Sequence, residues 1–183
     1  MASKDKAKQR MEGAIDALRR EFSGVRTGKA SPGLLDSLRV ESYGSMVPLN
    51  QVATVQAPEP RLLTIQPWDK KMLGPIEKAI HQSDLGVNPS NDGNIIRLPL
   101  PPLTEERRKE YVRMLHKMAE EARVHVRGAR KDANDEIKAR QKKEGLSEDD
   151  IRREQGEVQK LTDQYIAKVE ELLKHKEAEV MEV

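Results

Sequence analysis

Two stretches of this chain, Thr104 to about Lys143 and Ser147 to about Val180, each keep an apolar stripe at helical period over roughly thirty residues or more. At 1.5 Å per residue each reaches roughly 50 Å, and a stripe that long and narrow is not buried by its own helix. The inward residues of the first are Tyr111, Leu115, Met118, Ala122, Val126, Ala129, Ala133 and Ile137. Those of the second are Ile151, Val158, Leu161, Tyr165, Val169, Leu172 and Leu173. A shorter stretch, about Lys4 to Arg26, repeats the pattern with Ala7, Met11, Ala14, Ile15, Leu18, Phe22 and Val25. Three such stripes bury one another in a long antiparallel bundle. Composition agrees: hydrophobic and charged residues are nearly equal at 36% and 35%, and aromatics are only 3%, too few for a thick core.

The ends of these segments carry their own chemistry. Thr104 is an N-cap followed by Glu105 and Glu106, and Ser147 is another followed by Glu148, Asp149 and Asp150. The carboxylates complement the positive end of each helix dipole. Gly145 stops the first long helix. Gly128 and Gly156 cost about 1 kcal/mol each against alanine without breaking a packed helix. The first segment stops at Ser31-Pro32-Gly33.

The middle, 34–102, has another character: every proline except Pro32 lies between Pro48 and Pro102. Strand-like runs are 38–42, 51–56, 62–66 and 94–98, with turn residues at Tyr43-Gly44-Ser45 and at 91–94. One amphipathic helix fits between Asp69 as N-cap and Ser83, with Met72, Leu73, Ile76, Ala79 and Ile80 inward. The fold expected is therefore α+β: a three-helix bundle over 1–28 and 104–183, and a small β/α/β domain over 33–99 inserted into it. The connections, 27–33 and 98–103, act as hinges. Thr27, Gly28, Ser31, Pro32 and Gly33 form one. Pro99, Pro101 and Pro102 keep the other an extended tether outside the sheet.

Several functions are excluded or disfavoured. A net charge of +2 is no polycation, so affinity for nucleic acid would come from clustering. The chain has no cysteine, hence no disulfide or thiolate site. No apolar run approaches the roughly 20 residues of a membrane span, and the charged start, Met1 to Arg10, lacks a signal core; the chain reads as cytoplasmic. His81, His116, His125 and His175 make no metal-binding spacing, and no Gly-rich phosphate loop or nucleophile elbow occurs. No enzyme activity and no cofactor or metal are expected. His125 borders the apolar face and is expected half-buried. Trp68 is expected as a packing anchor of the small domain, a partner contact being the other reading.

The candidate site is a one-sided basic stripe. Lys109, His116, Arg123, Arg127, Arg130, Lys131, Asn134 and Lys138 fall within about 100° of one another around the first long helix, with Glu120 as the one acid among them. A rod carrying guanidinium groups in a row suits an RNA backbone, because the Arg fork matches phosphate geometry. The alternatives are a solvated helix face, or a helical adaptor that presents the small domain to another protein without RNA.

In order along the chain, Arg26-Thr-Gly-Lys-Ala-Ser-Pro32 with Leu34-Leu-Asp36, Glu77-Lys-Ala-Ile80 with Ser83-Asp-Leu-Gly86, and the run from Ile96 through Pro102 to Lys109 are similar to the ribosome recycling factor family. So are Ala122-Arg-Val124, Val126-Arg127, Arg130-Lys-Asp-Ala-Asn-Asp135, Ser147-Glu-Asp-Asp150 and Val158 to Asp163. The resemblance covers the whole chain and implies an L-shaped molecule of bundle plus inserted domain. It implies a monomeric factor that binds large-subunit rRNA on the post-termination ribosome and, with elongation factor G and GTP used by that partner, splits the subunits. By position in the motif it makes Arg130 the foremost rRNA contact, with Arg127 and Arg108 as further ones. Lys131 stands where relatives often carry a second arginine, and lysine binds phosphate without the planar fork.

Overall fold

The computed structural model describes residues 2–182. In chain order the elements are α1 (Ser3–Ser23), β1 (Arg39–Ser42), β2 (Ser45–Pro48), β3 (Ala53–Glu59), β4 (Leu62–Pro67), α2 (Leu73–Gln82), β5 (Ser90–Asn91), β6 (Ile96–Pro99), α3 (Glu105–Glu144) and α4 (Glu148–Met181). This α+β chain makes two compact units, Met1–Phe22 with Val112–Ala178, and Ser23–Tyr111 with Glu179–Val183. No helix among the described residues is long and apolar enough to cross a membrane.

The first unit is a three-helix bundle. Polar pairs across its seams give the directions. Lys6 and Arg10 of α1 meet Glu136 and Asp132 of α3, so those helices are antiparallel. His116, Arg123 and Arg140 of α3 meet Glu177, Glu170 and Glu154 of α4, again antiparallel. Helices α1 and α4 therefore run parallel, and the Tyr165 hydroxyl crosses that seam to donate to Glu12 Oε1 at 2.9 Å. Caps form as the residue types dictate. Thr104 Oγ1 accepts from the Arg107 amide, and Ser147 Oγ from the Asp150 amide. Gly145 closes α3 at φ +66°, its N–H returning to the Gln141 carbonyl.

The buried edge of α3 is mostly small: Ala119, Ala122, Ala129 and Ala133 accompany Leu115, Val126 and Ile137. Met118 and Tyr111, expected inward, are half-buried. Ala119 takes the inward place beside Met118 because a methyl side chain lets the helices approach, whereas a long thioether fits the edge of the seam.

The second unit is a two-layer α/β domain. Its four-stranded sheet has order β3-β4-β6-β5, all antiparallel, with Leu63 opposite Leu98 and Ile65 opposite Ile96. All four side chains are buried, against Ile76 and Ile80 of α2. Strand β2 is an element that the sequence reading left out. It pairs with β1 through a two-residue hairpin in which Tyr43 and Gly44 have φ of +48° and +83°, as a type I′ turn requires. The helix expected from Asp69 to Ser83 begins as a 3-10 turn, Lys70–Met72, whose cap is Asp69; α2 proper starts at Leu73. Trp68 is not a core anchor: it is 67% exposed, and its indole donates to Thr54 Oγ1.

The connections differ from the expected free tethers. Pro99 lies in β6 opposite Leu62, since the residue loses only a donor there and keeps its ladder position. The next amide, Leu100, donates to the Arg61 carbonyl, and the Ala30 amide donates to the Pro60 carbonyl. Both connections are thus held to the same β3–β4 turn, and the Arg26 guanidinium donates to the Pro101 carbonyl. Ser31 caps a 3-10 turn over Pro32–Leu35. Gly28 and Gly33 do not use positive φ. A Cβ at Gly33 would come within 3.0 Å of Ser23, and one at Gly28 within 3.1 Å of the Glu182 carbonyl, so close approach selects these glycines. Irregular backbone remains at 24–31 and 100–104.

Two outcomes follow from this packing. Ala129→Leu should lower bundle stability by about 1–3 kcal/mol, because the seam has no space for the added carbons. Urea unfolding followed by helical circular dichroism measures it, and an unchanged midpoint would show the seam to be looser than described. Burial, together with the hydrogen bond to Glu12, pushes the Tyr165 phenol up to about 12 from 10.0. Its contribution to stability is complete below the unfolded value and is lost as pH rises from about 10 to 12, where the unfolded chain ionises first. Tyr165→Phe should remove that part of the alkaline loss, seen as a smaller difference in urea midpoint between pH 9.5 and pH 11.5.

Candidate nucleic-acid interface

One face of α3 brings together most, but not all, of the cations that the sequence singles out. Arg127, Lys131 and Lys138 are exposed, and Arg130 is half-buried beside them. From Arg127 to Lys138 the helix rises roughly 16 Å, so these groups form a short ladder rather than a point. The Arg130 Nη1 lies 3.5 Å from Gln159 Oε1, while the Gln159 amide donates to Asp163 at 2.9 Å. A neutral amide therefore orients Arg130 and leaves its charge uncompensated. Lys131 and Lys138 enter no ion pair among the described residues. Asn134 is half-buried, with Oδ1 shielded and without a hydrogen-bond partner.

Acids on neighbouring turns are drawn away from this face. Asp132 and Glu136 point to α1, where Arg10 and Lys6 hold them. Asp135 stays exposed beside the ladder. Glu120 shares the face and lies 3.5 Å from Arg127. Gly128 has nothing within 4 Å of where a Cβ would stand, so its lack of a side chain leaves open space beside Arg127.

Arg123 does not belong to the exposed set. Its side chain is only 15% exposed, and its guanidinium donates to Glu170 at 2.6 Å and to Glu120 at 2.8 Å. The Glu170 hydrogen bond, with Glu120 adding to it, raises the Arg123 pKa further. The periodic reading placed it in the stripe because a helical wheel does not show which edge a partner helix covers. The partners it missed, Gln159 and Glu170, lie on α4, and only the antiparallel register of α3 and α4 brings them opposite.

Arg108 and Lys109 lie in the second unit. Lys109 is exposed, 3.6 Å from Glu105 one turn earlier. Arg108 is half-buried, with Nε shielded and unpartnered, and lines a small cavity with Lys29, Arg61 and Glu182. His125, expected half-buried, is exposed, because the bundle covers the alanine edge and not the turn beside it. His116 is 3.0 Å from Glu177. Among the described residues no cluster of three or more histidines and carboxylates could hold a metal ion.

Comparison with known proteins places this geometry among relatives. The sequence model of the ribosome recycling factor family matches residues 18–181. The ribosome-recycling factor of Carboxydothermus hydrogenoformans is 56% identical over 97% of this chain and 96% of its own length. That of Bacillus licheniformis is 53% identical over 98% and 97%. A solution structure of ribosome recycling factor is 45% identical, with a TM-score of 0.77 over 99% of this chain and 96% of that one. A second structure places the T. thermophilus ribosome recycling factor and the E. coli elongation factor G on the E. coli post-termination complex. Its matching chain is 47% identical, with a TM-score of 0.70 over the full length of both.

The two arginines one turn apart separate by experiment. Arg123→Ala should destabilise the bundle by about 1–3 kcal/mol, since it removes charge-assisted hydrogen bonds from a covered site. Arg127→Ala should stay within about 0.5 kcal/mol. Equal melting temperatures for the two variants would contradict the assignment of Arg123 as a clamp between helices.

Proposed function

The chain belongs to the ribosome recycling factor family, and we propose that it binds the post-termination ribosome and, with elongation factor G and GTP, promotes dissociation into subunits. Release of mRNA and deacylated tRNA follows. What carries this reading to particular residues is the row of Arg127, Arg130, Lys131 and Lys138 on one face of α3, with Asp132 and Glu136 drawn off by α1 and Glu120 as the one acid paired within the row. Such a row meets the phosphates of large-subunit rRNA. Arginine supplies the planar fork and lysine a point charge, and a helix held on its other sides lowers the entropy lost on docking. Asn134 extends the contact, Arg123 supports it from behind, and Arg108 and Lys109 are separate candidate contacts in the second unit.

On this reading the protein is a binding factor and not an enzyme. GTP is bound and hydrolysed by elongation factor G, and this chain contributes position and force transmission as a monomer in the cytoplasm. The first unit grips RNA, and the second is the part on which a partner acts. Thr27, Gly28, Pro101 and Pro102 lie in the irregular stretches of the second unit and are the places at which its backbone bends. Ser31, Pro32, Gly33 and Pro99 serve instead as fixed points inside the second unit.

Arg130→Ala should weaken binding to 70S ribosomes by roughly 1–3 kcal/mol, as the loss of a charge-assisted contact does. Subunit splitting with elongation factor G and GTP should slow in parallel, and the melting temperature should hardly move. Cosedimentation and light scattering give the two readouts. Unchanged affinity would remove Arg130 from the interface, and a large melting shift would make its role structural.

A further inference from the structure

The bundle has a second cationic surface, on the seam that α3 does not form. Helices α1 and α4 run parallel, and between them lies a groove of about 540 Å³. Lys4 and Lys8 line one wall, Lys160 and Lys168 the other, and the acids on the groove are Glu12 and Glu157. The lysines stand at steps of four and eight along their helices, so each pair projects from one helix face. Of the two acids, Glu12 already accepts the Tyr165 hydroxyl. Among the described residues none of the four lysines enters an ion pair. This is unlike the other seams of the same bundle, where Lys6, Arg10, Arg123 and Arg140 each meet a carboxylate.

We propose that this α1–α4 groove is a second phosphate-binding face, which holds the sugar–phosphate backbone of RNA. The inference rests on the proposed ribosomal function and adds a contact to it. The lysines spread over roughly 16 Å of helix rather than converging on one point, which suits a run of phosphates and not a single small anion. Lysine is a compact point charge without a planar fork, so the face reads backbone charge and carries no sequence information. The groove floor agrees: Leu161 and Tyr165 are buried, leaving no exposed ring on which a base could stack. Lys168 sits with its ammonium 4.6 Å from the Tyr165 ring centroid, which keeps that charge over the groove. With α3 on another face, the bundle then touches RNA along two separate lines.

The test compares the wild type with K4Q/K8Q/K160Q/K168Q and with the matching all-arginine variant, by cosedimentation with 70S ribosomes between about 50 and 200 mM salt. The glutamine variant should lose about 0.7–0.9 from the slope of log affinity against log salt for each phosphate released, and the arginine variant should keep the wild-type slope. A K8Q/K160Q double variant gives a smaller loss of the same kind and serves if the quadruple variant melts early. Wild-type slope and affinity in both glutamine variants would overturn the inference and leave the ribosomal function standing. Weaker binding at an unchanged slope would overturn it too, in favour of a contact with ribosomal protein. A wild type that fails to sediment with ribosomes would defeat both readings.

Discussion

Burial of the small-residue edge of α3 against its two neighbours is the constraint on which the first unit depends. Alanines at 119, 122, 129 and 133 bury little surface each, so the seam is stable only if backbones come near enough for dense packing. That approach decides the fate of the charges along the rim. A long side chain at the edge of a tight seam reaches across it, which is why Arg10 finds Asp132 and Arg123 finds Glu170. On the outer face Lys131 and Lys138 meet no carboxylate among the described residues, and Arg127 meets only Glu120 of its own helix. The cationic ladder of α3 is thus partly a product of packing: Asp132 and Glu136 are held by α1, and the cations on the outer face outnumber the acids left beside them.

Long-range order was legible where it leaves a local mark. The stripes from Leu115 to Ile137 and from Ile151 to Val169 announce their helices, and Thr104, Ser147 and Gly145 end them where the structure does. Short elements leave weaker marks. Strand β2 and the 3-10 turn at Leu49–Gln51 are too brief to show a period, and Pro99 conceals a strand because only its donor is missing. Partnership across elements leaves no local mark at all. Arg123 looks like its neighbours on a wheel and is half-buried, bonded to Glu170, which stands 47 positions away. Trp68 looks like a core residue and points outward, since side chains alternate along β4 and its buried places fall at Leu63, Ile65 and Pro67.

The two connections show the same balance between local chemistry and context. Glycine and proline there suggest freedom, yet the amides of Ala30 and Leu100 are both bound to the turn at Pro60 and Arg61. Both connections are thereby tied to the sheet of the second unit, not left as free tethers.

The central claim is that the outer face of α3 lies against rRNA, and a probe on that face tests it most directly. Because the chain contains no cysteine, Lys131→Cys provides a single attachment point for an iron chelate. On 70S ribosomes, hydroxyl radicals released from residue 131 should cut large-subunit rRNA at a small number of discrete nucleotides. Intact rRNA, with the labelled protein still bound and still splitting subunits with elongation factor G, would contradict the account.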